Sequence, residues 1–136
     1  MEELVISVVD NDVYSAWCYP TKSLIQHKWH QYCFGDVFRS NMTKAMDAFE
    51  KYNCTKWLSD DRDFAGALHP DDWKWGEVYF TDRLVPKGWK YSAMVLPATG
   101  LAKISTTALI NYFASKGLEA RFFSDFNEAK KWILEQ

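Results

Sequence analysis

The sequence predicts an α/β domain built on one mixed sheet. Three observations carry this. Runs of β-branched and aromatic residues separated by short turns fill the first thirty positions. From residue 36 onward, apolar stripes at helical spacing alternate with short apolar runs. No repeat, low-complexity stretch or Pro/Gly-rich linker interrupts the 136 residues. Sequential strands joined by tight turns make an antiparallel meander, whereas a β-α-β-α-β-α alternation gives parallel strands with right-handed crossovers. The expected architecture is N-terminal antiparallel strands followed by β-α-β-α-β-α with parallel strands, in a single domain spanning 1–136.

Leu4 to Val9 is a β-branched run, and Asn11-Asp12 is a turn signal. Val13 to Tyr19 mixes Val, Tyr, Trp and Cys, all suited to a pleated surface. Pro20-Thr21-Lys22 makes the next turn. In Leu24 to His30, Ile25, His27 and Trp29 share one face while Gln26 and Lys28 take the other. Gly35-Asp36 starts a helix with Asp36 as its expected N-cap. Phe38, Met42, Ala45, Phe49 and Tyr52 then form a one-sided stripe. Cys54 to Ser59 reads as a buried strand that ends at Asp60-Asp61-Arg62-Asp63.

His69-Pro70-Asp71-Asp72 opens a second helix, with a proline in its first turn and two carboxylates at the positive end of its dipole. Trp73, Phe80 and Leu84 are expected on one face of it, with Trp75 and Tyr79 on another. Gly88 closes this segment, and Tyr91 to Leu96 reads as a central strand covered on both faces. Pro97-Ala98-Thr99-Gly100 leads into a third helix, about Leu101 to Lys116, with Gly117 at the left-handed C-terminal position. Leu118 to Phe123 is the last strand. Asp125 and Glu128 form an acidic analogue of a capping box before a helix whose buried face is Phe126, Ala129 and Ile133.

Composition narrows the function classes. Hydrophobic residues are 48% and charged residues 25% of the chain, a globular balance. Sixteen basic and eighteen acidic residues are interspersed for a net charge of −2, so no basic stripe suggests nucleic acid or an anionic membrane. Cys18, Cys33 and Cys54 form no C-x-x-C pair and read as reduced thiols of a cytoplasmic protein. The acidic start Met1-Glu2-Glu3 lacks the basic region of a secretory signal. No apolar run approaches the roughly 20 residues needed to span a bilayer.

Aromatic residues make up 17% of the chain, seven of them tryptophan. Indole is too large, and its N–H too much in need of a partner, for all seven to be fully buried. Trp73 and Trp75 fall on different faces of one helix, so at least one is expected to face a groove, a subunit or solvent. Together with Tyr79 they are the expected anchors of a binding surface.

Two polar groups invite a chemical reading. His27, His30 and Cys33 have metal-capable side chains. On a strand, however, residues three apart point to opposite faces, so the two histidines cannot easily share one ion. Asp60, Asp61, Asp63, His69, Asp71 and Asp72 form the densest polar set, just beyond a strand's carboxyl end, where α/β sheets place ligands. Asp61, Arg62, Asp63 and His69 are therefore candidate ligand- or partner-binding positions. A positioned nucleophile and a phosphate-cradling glycine loop are missing, so capping and a solvated loop is the plainer reading, and no catalytic residue, metal or cofactor is assigned. The single glycine of Pro97-Ala98-Thr99-Gly100 is likewise weaker than an anion cradle requires.

Three stretches resemble a known family. They are Trp57-Leu58-Ser59-Asp60-Asp61-Arg62, Gly88-Trp89-Lys90-Tyr91-Ser92-Ala93-Met94-Val95-Leu96-Pro97, and the run from Arg121-Phe122-Phe123-Ser124-Asp125 through Ala129 to Trp132-Ile133. Together they look like small bacterial STAS-like proteins, the SpoIIAA-like group related to anti-sigma-factor antagonists. The resemblance implies a four-helix, mixed-sheet domain that acts by binding. Sporulation-type antagonists carry a phosphorylatable serine in an Asp-Ser-(Ser/Thr)-Gly loop. Here the loop reads Leu58-Ser59-Asp60-Asp61-Arg62, and its carboxylates disfavour a phosphate, so that switch is not carried over.

The functional expectation is a non-catalytic regulatory module that binds a protein partner or pairs as a homodimer. The alternative is a carrier or sensor of a small apolar ligand, suggested by the aromatic excess and by the likeness of the STAS-like fold to lipid-carrying domains. A metal-dependent enzyme using Asp61, Asp63 and His69 stands behind both.

Overall fold

The computed structural model describes residues 4–64, 68–97 and 100–136, with side chains in the last stretch from 108 onward. Six strands form one sheet in the order β1-β2-β3-β4-β5-β6. β1 (Ile6–Asp10), β2 (Tyr14–Tyr19) and β3 (Leu24–Trp29) are antiparallel neighbours. β4 (Lys56–Asp60), β5 (Tyr91–Val95) and β6 (Glu119–Phe123) continue the sheet parallel to β3. This is the mixed sheet expected from the sequence.

Four helices accompany it. α1 is Asp36–Lys51, α3 is Gly100–Ser115 and α4 is Phe126–Leu134. α2 is composite, with an α-helical start at Pro70–Gly76, a π-helical stretch at Glu77–Thr81 and a last α turn at Asp82–Leu84.

Because the strand order never reverses, crossovers of one hand lay α1, α2 and α3 on the same face of the sheet. Tyr14, Ala16, Cys18, Ile25, Trp29 and Trp57 point to that face and pack with Phe38, Met46, Phe49, Leu84 and Phe113 in the larger core. Leu24, Leu58, Ala93 and Val95 point the other way and are covered by Ala129 and Ile133 of α4.

Each crossover ends in the same device. Asn53, Gly88 and Gly117 take positive φ of 53°, 112° and 87°. The next residue in each case donates its N–H five positions back: Cys54 to Phe49 C=O at 3.0 Å, Trp89 to Leu84 C=O at 3.2 Å, and Leu118 to Phe113 C=O at 2.9 Å. The left-handed residue donates three positions back, which completes the Schellman pattern. Its hydrophobic component is present too, since Cys54, Trp89 and Leu118 are all buried at the entry to β4, β5 and β6.

Three local expectations are corrected. The N-cap of α1 is Gly35, whose C=O accepts the first helical bond from Arg39 N–H at 2.9 Å; Asp36 is the first helical residue. The cap is set by a tertiary partner, because Gly35 N–H is held by Asp72 Oδ2 of α2 at 2.9 Å. Trp73 does not share the buried face of Phe80 and Leu84. The wider π-helical turn shifts the helical register, so Trp75 joins Phe80 and Leu84 at the core while Trp73 stays exposed. Finally, Asp60 is not part of a solvated loop but the buried last residue of β4.

Candidate functional site

Alternation along β3 turns His27 inward between Ile25 and Trp29, and the parallel register sets it opposite Ser59 of β4. A buried imidazole needs a partner for each nitrogen. His27 Nε2 lies 2.6 Å from Ser59 Oγ, and Ser59 Oγ donates to Asp61 Oδ1 at 2.7 Å. On the other side, Tyr14 OH lies 2.7 Å from His27 Nδ1, which also accepts the Trp57 indole N–H at 3.2 Å. Four strand-borne polar groups thus form one chain that runs from the core to Asp61, whose side chain is 22% exposed.

The chain has a direction. Indole N–H can only donate, so His27 Nδ1 is the accepting nitrogen and its proton sits on Nε2. Nε2–H then donates to Ser59 Oγ, which gives its own proton to the Asp61 carboxylate. Burial, reinforced by the negative charge of Asp61, pushes the Tyr14 phenol well above its usual range, so it keeps a proton to share with Nδ1. A nucleophilic serine needs the imidazole lone pair facing its hydroxyl. With Nδ1 accepting the indole N–H, that position carries a proton, and the serine, histidine and aspartate form a relay whose hydrogen bonds run toward the carboxylate.

A second set uses the same logic on the opposite face. Ser15 of β2 donates to Asp10 Oδ1 at 2.9 Å and lies 2.7 Å from His30 Nε2. The serine proton again goes to a carboxylate. His27 and His30 serve opposite faces of the sheet, as the alternation predicts. Among the described residues, no group of three or more His, Cys, Asp or Glu side chains is placed to hold a metal ion.

The polar segment after β4 is divided between partners. Arg62 grips Asp60 with a fork, Nε to Oδ1 at 2.9 Å and Nη2 to Oδ2 at 2.7 Å. Lys28 lies 3.9 Å from Asp60 and 3.4 Å from Asp63. Burial alone would push the Asp60 carboxyl up, but the bonds and charge of Arg62, helped by Lys28, outweigh it and hold the carboxyl below its usual value. His69 caps α2, its Nδ1 accepting Asp71 N–H at 3.1 Å, and Asp72 is buried between Gly35 N–H and Arg39 Nε, each at 2.9 Å. Asp60 and Asp63 share Lys28, while Asp61, Asp71 and Asp72 go to other partners. Of the Pro97–Gly100 loop, Ala98 and Thr99 lie outside the described residues.

The tryptophans divide as well. Trp29, Trp57 and Trp89 are core residues with ring partners such as Phe38, Phe80 and Phe113. Trp75 is half-buried against Phe38, with Arg39 above its ring at 5.9 Å. Tyr79 is 58% exposed and Trp73 37%. The sequence reading did not include Phe34, which is 62% exposed and stacks on His69 at 6.0 Å, or Tyr32, 6.3 Å from Phe34. The hydrogen-bond chain through His27 is also absent from the expectations drawn from the sequence. A histidine on an otherwise apolar face was the available signal.

The architecture, a mixed sheet with three crossover helices on one face and α4 over the second core, is that of a SpoIIAA-like α/β domain. A matching solved structure is that of an uncharacterized protein of the DUF3478 family with a SpoIIAA-like fold from Shewanella loihica PV-4. It is 16% identical to this chain with a TM-score of 0.63, over 96% of this chain and 92% of that one. No family model and no curated protein matches the sequence.

Proposed function

We propose that this chain is a non-catalytic, cytoplasmic binding or regulatory module that docks a protein, either a distinct partner or a second copy. The docking face is formed by the loop after β3 and by α2. One observation carries the reading: Tyr32, Phe34, Trp73 and Tyr79 are exposed although large aromatic groups favour burial. Their rings are held by neighbours, Phe34 by His69, Trp73 by Tyr112 at 5.8 Å and Tyr79 by Trp75 at 6.0 Å. Pre-ordered aromatic side chains lose little entropy on binding and are favoured anchors. His69 belongs to this face through its contact with Phe34, and Asp61, Arg62 and Asp63 are proposed as its polar margin.

The relay direction at Ser59 and Ser15 supports the non-catalytic part, and the free, buried thiols of Cys18, Cys33 and Cys54 support a reducing compartment. Among the described residues no helix is long and apolar enough to cross a membrane. The aromatic excess that favoured an apolar-ligand carrier is largely taken up by ring-to-ring packing around Trp57 and Trp89.

Light scattering of the purified chain, with affinity capture from its native lysate, tests the proposal. Self-association or a captured protein is expected, and it should be lost in a Phe34→Ala/Tyr79→Ala double variant of unchanged melting temperature. A monomer whose captured proteins are the same with and without those rings would overturn it.

A further inference from the structure

The docking face has an uneven charge. Lys28 is engaged by Asp60 and Asp63, Arg62 by Asp60, and Arg39 by Asp72. The carboxylates at the face are less committed. Asp36 and Asp71 are exposed, and among the described residues the Asp71 carboxylate is 4.0 Å from the His69 ring. Lys74 is the exposed cation set against them.

Asp61 is the best-placed of these acids. Ser59 holds its Oδ1 at 2.7 Å, and Ser59 is in turn fixed by the buried His27, so the carboxylate is oriented before any ligand arrives. Among the described residues no hydrogen bond is made to Oδ2. Asp61 is linked to the aromatic face through Phe64. Phe64 donates its N–H to Asp61 C=O at 3.2 Å, and the Phe64 ring lies 5.0 Å from Tyr32, next to Phe34.

Resting on the docking reading above, we infer that the partner is a basic segment of another protein. A Lys or Arg side chain sits on Asp61 Oδ2, and an apolar side chain from the same segment sits on Phe34 and Tyr32. The match is electrostatic at one end and hydrophobic at the other. Attraction to an oriented carboxylate fixes register and speeds encounter, while the aromatic contact supplies most of the affinity.

The test is selection of displayed random peptides on the full chain, followed by fluorescence anisotropy with the strongest synthetic peptide. The selected peptides should share a Lys or Arg close to an aromatic or large aliphatic residue. Binding should weaken at least tenfold with Asp61→Asn, which retains an acceptor for Ser59, and with Phe34→Ala. If Asp61→Asn does not fold, salt decides: affinity for the wild type must fall steeply as ionic strength rises. Peptides without a basic residue, or equal binding to Asp61→Asn, overturn the inference while leaving the docking face intact so long as Phe34→Ala still abolishes binding. Failure to obtain any peptide sensitive to Phe34→Ala overturns both.

Discussion

Trp57 donates its indole N–H to His27 Nδ1 across 3.2 Å from the adjacent strand, and this bond sets which way the protons of the buried relay point. With Nδ1 accepting, Nε2 must donate to Ser59, and Ser59 must donate to Asp61. A donor-only side chain in the core thus turns the imidazole lone pair away from Ser59.

Trp57→Phe tests that relationship, since it retains most of the aromatic bulk and removes the donor. A loss of about 1–2 kcal/mol in urea unfolding is expected. Nitrogen-detected NMR of the imidazole should show a single Nε2–H tautomer in the wild type and a mixture in the variant. An unchanged tautomer would assign the control to Tyr14 alone.

Ser59 is expected to resist a fluorophosphonate probe in the native protein, because no lone pair is available to take its proton. Ser59→Ala should still be costly, by about 1–3 kcal/mol, because it leaves the buried His27 Nε2–H without an acceptor. Intact-mass spectrometry reads the first outcome and chemical denaturation the second. A stoichiometric adduct on Ser59 would reverse the assignment of this group as structural.

The Asp60–Arg62 fork gives a pH dependence of known sign. Asp60 titrates below its unfolded value, so its stabilising contribution is complete above about pH 4 and is lost as pH falls through the folded value. Arg62→Ala removes the group that offsets burial, although Lys28 remains. Discounting for the partial exposure of Arg62, the expected cost at neutral pH is about 2 kcal/mol. Burial should then lift Asp60, so the fall in stability on acidification should flatten or reverse. Urea midpoints measured across the acid range distinguish these cases.

All three thiols should be silent in the native state. Burial, with a smaller contribution from Asp72, pushes Cys33 to about 11. Burial likewise raises Cys18 and Cys54, which lie 3.8 Å apart in the core. A disulfide-exchange reagent at about pH 8 should titrate no thiol until denaturant is added, and then three. Rapid reaction of the folded chain would contradict the burial of Cys18, Cys33 and Cys54.

Local chemistry made much of this fold legible. The stripe from Phe38 to Phe49, the cap at Asp125 and the glycine at 117 each act within a few residues, so one sequence is enough to place them. The Trp73 face was misread because the π-helical turn at Glu77–Thr81 has no compositional mark. The relay was missed because it depends on register: His27 and Ser59 are far apart in the chain and become neighbours only when β3 and β4 pair. Asp60, Asp61 and Asp63 looked like one acidic cluster, yet strand alternation sends Asp60 and Asp61 to different partners. Nearness along a chain that enters a sheet is a poor guide to convergence.

Strand order along the sheet is identical to strand order along the chain. No strand has to be inserted between two that are already paired, so the sheet can lengthen at a single growing margin as the polypeptide leaves the ribosome. The nine residues of α4 then close over it. Until Ala129 and Ile133 arrive, Leu24, Leu58, Ala93 and Val95 stay wet, which makes this helix the latch for a surface laid down from β3 onward.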